Sequence, residues 1–282
     1  MSHRQHEHGP ELEQMRQLMD AIYEQYSYDF RDYSVASLWR RVKRAVEGLH
    51  VDGIPALQKL VVRDSAAFMQ LLQMLTIPVT QMFRDPEFFA ALREQVVPVL
   101  KTYPSPKIWV AGCSSGEEAL SLAILLKEEG LLERSTIYAT DINPQILDKA
   151  RKGVFALEKM ALYSSNYQQA GGLSALSDYY RVVHETVQFD PTLSSNIIFA
   201  DHSLATDSVF AETQLVCCRN VLIYFKRSLQ DRALGLFRES LCHRGFLGLG
   251  SKESANFSAH AASFEALGND KLHQKLYRKR SV

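Results

Sequence analysis

The sequence lacks the long apolar runs of a membrane-spanning protein. Hydrophobic residues make up 46% of its 282 residues, but no uninterrupted run approaches the ~20 residues that a transmembrane helix needs. Residues 1–8 also lack the apolar region of a signal peptide. We therefore expect no membrane insertion and a cytoplasmic location.

The chain has no excess of charge of either sign, because 32 Lys and Arg residues balance 32 Asp and Glu residues. Without a basic surface or an aromatic–basic stripe, a nucleic-acid partner is not expected. One segment departs from this balance, since residues 38–46 carry Arg40, Arg41, Lys43 and Arg44 in a helical pattern. This pattern is typical either of a solvated helix face or of a docking surface for an acidic partner.

Cysteine is scarce and is not arranged as a metal or disulfide motif. The four residues, Cys113, Cys217, Cys218 and Cys242, form no C-x-x-C pair. We interpret them as reduced core thiols rather than a disulfide framework or a zinc site. No other ligand cluster is evident, so no metal is expected.

Two regions with different patterns divide the chain. Residues 11–75 have apolar positions at three- and four-residue spacing, which predicts helices, and we expect a helical domain over 1–78. From residue 107, short apolar runs alternate with amphipathic runs. This alternation predicts an α/β domain over 79–282 with a mostly parallel sheet. Residues 153–195 interrupt the rhythm and predict an inserted helix/β subdomain.

The predicted strand-like runs are 107–111, 136–140, 196–200, 214–218 and 245–250, and the predicted helix-like runs are 116–129, 144–151 and 228–241.

The first strand runs into a small-residue turn and then a helix, a unit that holds nucleotide-like ligands in α/β folds. The turn contains Gly112 and Gly116 but neither G-x-G-x-x-G nor a Gly-Lys-Ser/Thr sequence. Glu117 and Glu118 occupy the first helical turn, where a phosphate would bind in a dinucleotide site. They repel phosphate and attract a cation, so S-adenosylmethionine, with its ammonium and sulfonium groups, suits the turn better than NAD or ATP.

Two further strands end in polar residues. The second predicted strand ends at Asp141, 23 residues after Glu118, which is close to the offset of ~20 residues at which an acid binds a ribose. A later apolar run ends in Arg219-Asn220, and Tyr224 follows four residues after Asn220. Open α/β sheets bind ligands at the carboxyl ends of their strands.

Five segments together resemble the CheR family of chemotaxis receptor glutamate methyltransferases. The segments are residues 80–85, 111–118, 139–142, 218–225 and 245–254, in the family's order, and the resemblance covers roughly residues 20–280. It implies a class I methyltransferase dependent on S-adenosylmethionine, with a Rossmann-like sheet, an all-helical N-terminal domain and a small β insertion. It also implies transfer of a methyl group to receptor glutamates, giving methyl esters and S-adenosylhomocysteine.

The resemblance also implies roles for individual residues. Arg84, with Thr80, would reach the carboxylate of the cofactor. Glu118 would lie near its amino-acid moiety and Asp141 on its ribose hydroxyls. Tyr224 would face the acceptor glutamate, with Arg219 as a second group that orients it. The complete implied cofactor set is Pro78, Thr80, Arg84, Gly112, Glu118, Asp141, Ser203, Leu204, Arg219 and Asn220.

The chain departs from the family pattern at two of these positions. Pro78 stands where many relatives have Asn, which removes a side-chain donor. Ser203 stands where relatives carry the Asn of an Asn-Leu pair, and it is a shorter hydrogen-bonding group.

The resemblance makes the cytoplasmic domain of a methyl-accepting chemotaxis-type receptor the expected partner. We expect Arg40, Arg41, Lys43 and Arg44 to dock on it, and the protein to be monomeric. The insertion has only Gly171-Gly172 as a flexible pair, which does not favour tethering to a receptor peptide. Two alternatives remain at this point: a methyltransferase of the same fold acting on RNA or a small molecule, and a non-catalytic adaptor.

Overall fold

The computed structural model describes residues 9–76, 80–267 and 275–281. These residues form two compact units. The helical unit consists of residues 9–76, 203–207 and 224–232, and the sheet unit of residues 80–202, 208–223, 233–267 and 275–281. No helix in the described ranges is both long and apolar enough to cross a bilayer.

The helical unit is built on four amphipathic helices, as the apolar spacing predicts. The helices are α1 (Gly9–Tyr26), α2 (Val35–Gly48), α3 (Ile54–Arg63) and α4 (Ser65–Leu75). Their apolar stripes meet in a core that includes the fully buried Leu18, Ile22, Val42, Leu57 and Leu71. Helix α4 begins directly after Asp64, whose carboxylate accepts from the Ala66 N–H at 2.8 Å.

The sheet unit contains a seven-stranded sheet in the order β6-β2-β1-β7-β8-β10-β9. Strands β6, β2, β1, β7 and β8 are parallel, whereas β10 is antiparallel to both β8 and β9. The strands are β1 (Lys107–Ala111), β2 (Thr136–Asp141), β6 (Ile197–Asp201), β7 (Thr213–Cys218), β8 (Leu241–Leu249), β9 (Phe264–Ala266) and β10 (Leu276–Lys279).

Helices alternate with these strands along the chain, as predicted. They are α5 (Pro86–Ala91), α6 (Val97–Leu100), α7 (Glu117–Glu128), α8 (Pro144–Lys152) and α10 (Pro191–Ser194); a π-helical turn (Leu92–Val96) joins α5 to α6. Helix α11 (Arg227–Ser240) begins in the helical unit and ends in the sheet unit. Short 3₁₀ turns lie at Leu132–Arg134, Leu157–Lys159, Leu176–Tyr179, Leu222–Tyr224 and Ala261–Ser263. Helix α7 is buried over most of its length, which places its first turn firmly against the core.

The insertion forms a separate three-stranded antiparallel sheet in the order β3-β5-β4, together with helix α9. Its elements are β3 (Val154–Ala156), α9 (Met160–Gln169), β4 (Tyr180–Val183) and β5 (Thr186–Phe189). The buried Glu128 carboxylate at the end of α7 accepts from the Tyr167 and Tyr179 hydroxyls and pairs with Arg93. These contacts attach the insertion to the main sheet.

The structure confirms the predicted fold class. Strand β8 nevertheless begins earlier than predicted, at Leu241, because Leu241 pairs with Thr213 before a register shift in β7–β8. The sequence pattern missed this part of β8 because His243 and Arg244 are polar, which is typical of a turn. In the structure both are exposed, and Arg244 has a φ of +59°. The four cysteines are buried free thiols, as predicted.

Candidate active site

The turn between β1 and α7 requires glycine at two positions. Gly112 has φ of +75° and Gly116 has φ of +91°. A Cβ on Gly112 would lie 2.5 Å from Cγ2 of Val221, and one on Gly116 would lie 2.9 Å from the Cβ of Ala150. The turn therefore brings the backbone of the β1–α7 connection close to its neighbours, at the switch point where β1 lies between β2 and β7.

Asp141 is held by backbone donors at the carboxyl end of β2. Its two carboxylate oxygens accept from the Ser114 N–H at 2.9 Å and the Asn143 N–H at 3.0 Å. Burial raises the pKa of Asp141, and these N–H groups oppose that rise. The arrangement fixes a carboxylate beside the glycine turn, where it is able to accept from a pair of hydroxyl groups.

Arg219 joins the end of β7 to the first turn of α7. Its guanidinium donates to Glu118 Oε2 at 3.1 Å and to Asp85 Oδ2 and the Arg84 carbonyl at 2.8 and 2.7 Å. The ring centroid of Phe88 lies 4.1 Å from its central carbon. The side chain is only 1% exposed.

The two Arg219 Nη atoms therefore hold Glu118 and the 84–85 segment, whereas the buried Nε has no hydrogen-bond partner among the described residues. The expected role of Arg219 in orienting the acceptor stays a prediction.

The second oxygen of Glu118 is a buried anionic acceptor. Glu118 Oε1 has no hydrogen-bond partner among the described residues. Burial raises the pKa of Glu118, while Arg219 and Arg84 lower it. Because a buried unpaired carboxylate oxygen is costly, this atom is suited to bind a cationic donor. This acceptor fits the ammonium group of S-adenosylmethionine, which donates hydrogen bonds.

The segment before α5 is rigidly held in an unusual backbone conformation. Phe83 and Asp85 have φ of +49° and +55°. The Phe83 N–H donates to the Ser121 hydroxyl at 2.9 Å, and Asn166 of the insertion donates to the Met82 carbonyl at 3.0 Å. Within this segment Thr80 and Arg84 are half-buried, and Pro78 lies outside the described residues.

Asn220 follows β7 with φ of +62°. Its backbone N–H donates at 2.9 Å to Glu253, a buried residue of the turn after β8. Glu253 is a functional candidate that sequence reasoning missed, because an acid in a Gly-Ser-Lys-Glu-Ser turn resembles a solvated loop residue. The available signal was its position three residues after the predicted apolar strand 245–250.

Three other predicted site residues belong to the helical unit. The Ser203 N–H donates to Asp207 at 2.9 Å and its hydroxyl accepts from the Ala205 N–H at 3.3 Å, while Leu204 is buried. The ring of Tyr224 lies 4.8 Å from the Arg41 guanidinium.

The basic helix α2 is only partly a surface. Arg40 and Arg44 are exposed, and Lys43 pairs with Glu11 at 2.8 Å. Arg41 is buried and donates to the Leu75 carbonyl, because it shares a helix face with the core residues Leu38 and Ala45, three positions before it and four after it. Arg41 is therefore not part of an exposed docking surface, which corrects that prediction.

Family models identify both parts of the chain. Residues 78–271 match the SAM binding domain of CheR methyltransferases, and residues 13–76 match the all-alpha domain of the same proteins. The chain belongs to the CheR methyltransferase family.

Individual CheR relatives align over most of the chain. A Pseudomonas putida protein named Cher3, described as a proposed methyltransferase, is 57% identical over 266 residues, covering 94% of this chain and 96% of its own length. The chemotaxis protein methyltransferase of Salmonella typhimurium is 26% identical over 270 residues, covering 91% and 90%. That of Listeria monocytogenes is 32% identical over 193 residues, covering 68% and 71%.

These matches confirm the resemblance found in the sequence. The protein is a CheR-type methyltransferase that uses S-adenosylmethionine as the methyl donor.

Proposed function

We propose that the protein methylates glutamate side chains on the cytoplasmic domain of a methyl-accepting chemotaxis-type receptor, forming methyl esters and S-adenosylhomocysteine. The observation that carries this proposal is the buried Glu118–Arg219 pair, whose second carboxylate oxygen is left for a cationic ligand. When bound, S-adenosylmethionine supplies an electrophilic methyl group on a sulfonium.

The described residues divide the binding of this cofactor. Glu118 receives the amino group, Asp141 receives the ribose hydroxyls, and Arg84 with Thr80 serves the carboxylate. Arg219 holds Glu118 and the 84–85 segment in place, and Gly112 keeps the turn open. Asn220 lies beside the methyl-transfer point, and Ser203 and Leu204, with Pro78, complete the cofactor set.

The acceptor requires orientation more than activation. A glutamate carboxylate has an ordinary pKa of ~4.3, so it is ionised at neutral pH and needs no general base. Alignment of oxygen, methyl carbon and sulfur is the main task, and such positioning supplies up to ~7–11 kcal/mol.

Tyr224 and Arg219 keep their expected roles in orienting the acceptor carboxylate. Arg219 Nε is buried and has no hydrogen-bond partner among the described residues. A buried cationic N–H without an acceptor is costly, which supports a role for Arg219 in binding the acceptor carboxylate.

Receptor docking is assigned to the exposed charges of α2, Arg40 and Arg44. Replacement of both by Glu is expected to slow receptor methylation severalfold at low salt, with a smaller effect at high salt, because salt screens exposed charges. Arg63→Glu, at an exposed position at the end of α3, is the control. Equal rates for the double variant and the control would remove α2 from the docking surface.

The decisive experiment is transfer of a radiolabelled methyl group to purified receptor cytoplasmic domain. We expect label in the receptor that is released by mild base, as for an ester. Base-stable label would indicate N-methylation. Binding of S-adenosylhomocysteine without transfer would indicate an adaptor, and label in RNA or a small molecule would indicate another substrate class. The proposed substrate also implies action in the cytoplasm.

A further inference from the structure

Glu253 has been given no role so far, yet it is one of the most enclosed carboxylates of the sheet unit. The residue is 5% exposed. It lies in the turn that follows β8, next to the carboxyl end of β7 in the parallel sheet. An acid buried at this edge needs compensating donors, since an isolated buried carboxylate is strongly unfavourable.

Backbone N–H groups supply this compensation. Glu253 Oε2 accepts from Gly250 at 2.6 Å and from Asn220 at 2.9 Å, and Oε1 accepts from Ile223 at 3.3 Å. Burial raises the pKa of Glu253, and hydrogen bonds from these groups and from the Leu222 N–H lower it. The carboxylate thus bridges the turn after β8 to the segment after β7.

The bridge holds a backbone conformation that is unfavourable without such contacts. Asn220 has φ of +62°, a conformation that non-glycine residues adopt only when their surroundings hold them there. The bridge is also crowded. A Cβ on Gly250 would lie 2.7 Å from Glu253 Oε2 and 2.8 Å from the Asn220 backbone nitrogen.

We propose that Glu253 is the positioning residue that holds Asn220 in its cofactor-binding conformation. This inference rests on the proposed role of Asn220 at the cofactor. Glu253 touches neither the cofactor nor the acceptor in this role. It acts by fixing the backbone of residues 220–223, so that the Asn220 side chain is preorganised.

The test is a double-mutant cycle read by calorimetry with S-adenosylhomocysteine on the full chain. Glu253→Gln replaces one carboxylate oxygen by an amide donor, which opposes a backbone N–H. We expect Asn220→Ala and Glu253→Gln each to weaken binding by about tenfold, the effect of one hydrogen bond. If Glu253 acts through Asn220, the double variant is also weakened only about tenfold, because the two effects are not additive.

Three results would overturn the inference. The first is unchanged affinity for Glu253→Gln when Asn220→Ala is impaired. The second is a loss of about a hundredfold in the double variant, which would mean that the two residues act independently. The third is unchanged affinity for Asn220→Ala, which removes Asn220 from the cofactor site and contradicts the role given to it in the proposed function. The methyl-transfer experiment tests the proposed function separately.

Two further variants separate positioning from general stability. Ser240→Ala removes buried hydrogen bonds to Thr213 and Ala211 at the opposite end of β7. It is expected to lower the unfolding temperature and leave the affinity unchanged. If Glu253→Gln does not fold, Glu253→Asp keeps the charge but shortens the side chain, so that it no longer reaches the N–H groups of both Gly250 and Asn220. Weakened binding in Glu253→Asp supports the inference, and wild-type affinity contradicts it.

Discussion

At the scale of single residues, the candidate site is a set of buried charges whose partners lie in other elements. Asp141 is held by backbone N–H groups of the β1–α7 turn and of the start of α8. Glu118 is held by an arginine from the end of β7. Neither carboxylate is required by the fold alone, since apolar residues would occupy such positions at lower cost.

Asp141→Ala is expected to weaken S-adenosylhomocysteine binding by tenfold or more, because the variant removes the acceptor assigned to the ribose hydroxyls. Isothermal calorimetry measures this change. Asp148→Ala, an exposed residue of α8 paired with Arg151, should retain wild-type affinity. Unchanged affinity in Asp141→Ala would remove this residue from the site.

Arg219→Met is expected to reduce the free energy of unfolding by about 3–5 kcal/mol, since it leaves Glu118 and Asp85 without their buried cation. Urea denaturation measures the loss. Arg151→Met is the comparison, because its ion pair with Asp148 is exposed and is worth only about 0–1 kcal/mol. Similar losses in both variants would contradict a large contribution of the buried Arg219 ion pairs to stability.

At the scale of elements, the β1–α7 turn is constrained both by conformation and by space. Gly112→Ala is expected to destabilise the protein by clearly more than Gly130→Ala, and to weaken cofactor binding. Both glycines have positive φ, +75° and +68°, but a Cβ on Gly130 meets nothing within 4 Å. Gly130→Ala therefore measures the conformational cost, ~1–2 kcal/mol, and the excess in Gly112→Ala measures the clash with Val221. Equal losses would contradict the close approach.

The insertion depends on α7 through Glu128. Glu128→Gln is expected to speed amide hydrogen exchange in residues 160–180, because it breaks the ion pair with Arg93 and disturbs the bonds from Tyr167 and Tyr179. Exchange in β1 and β7 should stay slow. Glu129→Gln, whose carboxylate is more exposed, is the control. Exchange that is unchanged throughout the insertion would show that Glu128 does not anchor it.

At the scale of the whole molecule, the buried acids make stability depend on pH in an unusual direction. Burial raises the pKa values of Glu117, Glu118, Asp141 and Glu253. The folded state therefore binds protons more tightly than the unfolded state, and the free energy of unfolding falls as the pH rises from the ordinary values through the raised ones. Asp29 and Glu129 have lowered pKa values, so their contribution to the free energy of unfolding is lost only as the pH falls below the ordinary carboxyl pKa.

The ligand-free protein should therefore lose the stabilising contribution of these acids as the pH rises above the ordinary carboxyl pKa of ~4 and through the raised values. The affinity for S-adenosylhomocysteine should rise over the same interval as Glu118 and Asp141 ionise. Urea denaturation of wild type and Glu118→Gln measures the first effect. The two proteins have the same histidines, so the effect of histidine titration cancels when they are compared. The free energy of unfolding of Glu118→Gln minus that of the wild type should therefore grow as the pH rises. A difference that is constant with pH would contradict a raised pKa at Glu118.

Much of the fold was predictable because its signals are local. Strand β1 and the helices α7 and α8 follow from the spacing of apolar residues, and the glycines of the turn mark where strand becomes helix. Strands β9 and β10 gave no such signal, since they are short and pair antiparallel at the edge of the sheet. The positions of Glu118 in the first turn of α7 and of Asp141 at the end of β2 were also predictable, because each depends only on a neighbouring strand or turn.

The sequence by itself determined the order of elements, the two-part organisation, the family motifs and the charge of the cofactor turn, all of which depend on neighbours along the chain. Only the tertiary structure decided that Arg41 is buried, that Arg219 is committed to Glu118, and that Glu253 holds Asn220. The physical reason is that burial and ion pairing join residues far apart in the chain, 101 positions for Arg219 and Glu118. No local pattern specifies which of several charged side chains meets such a partner.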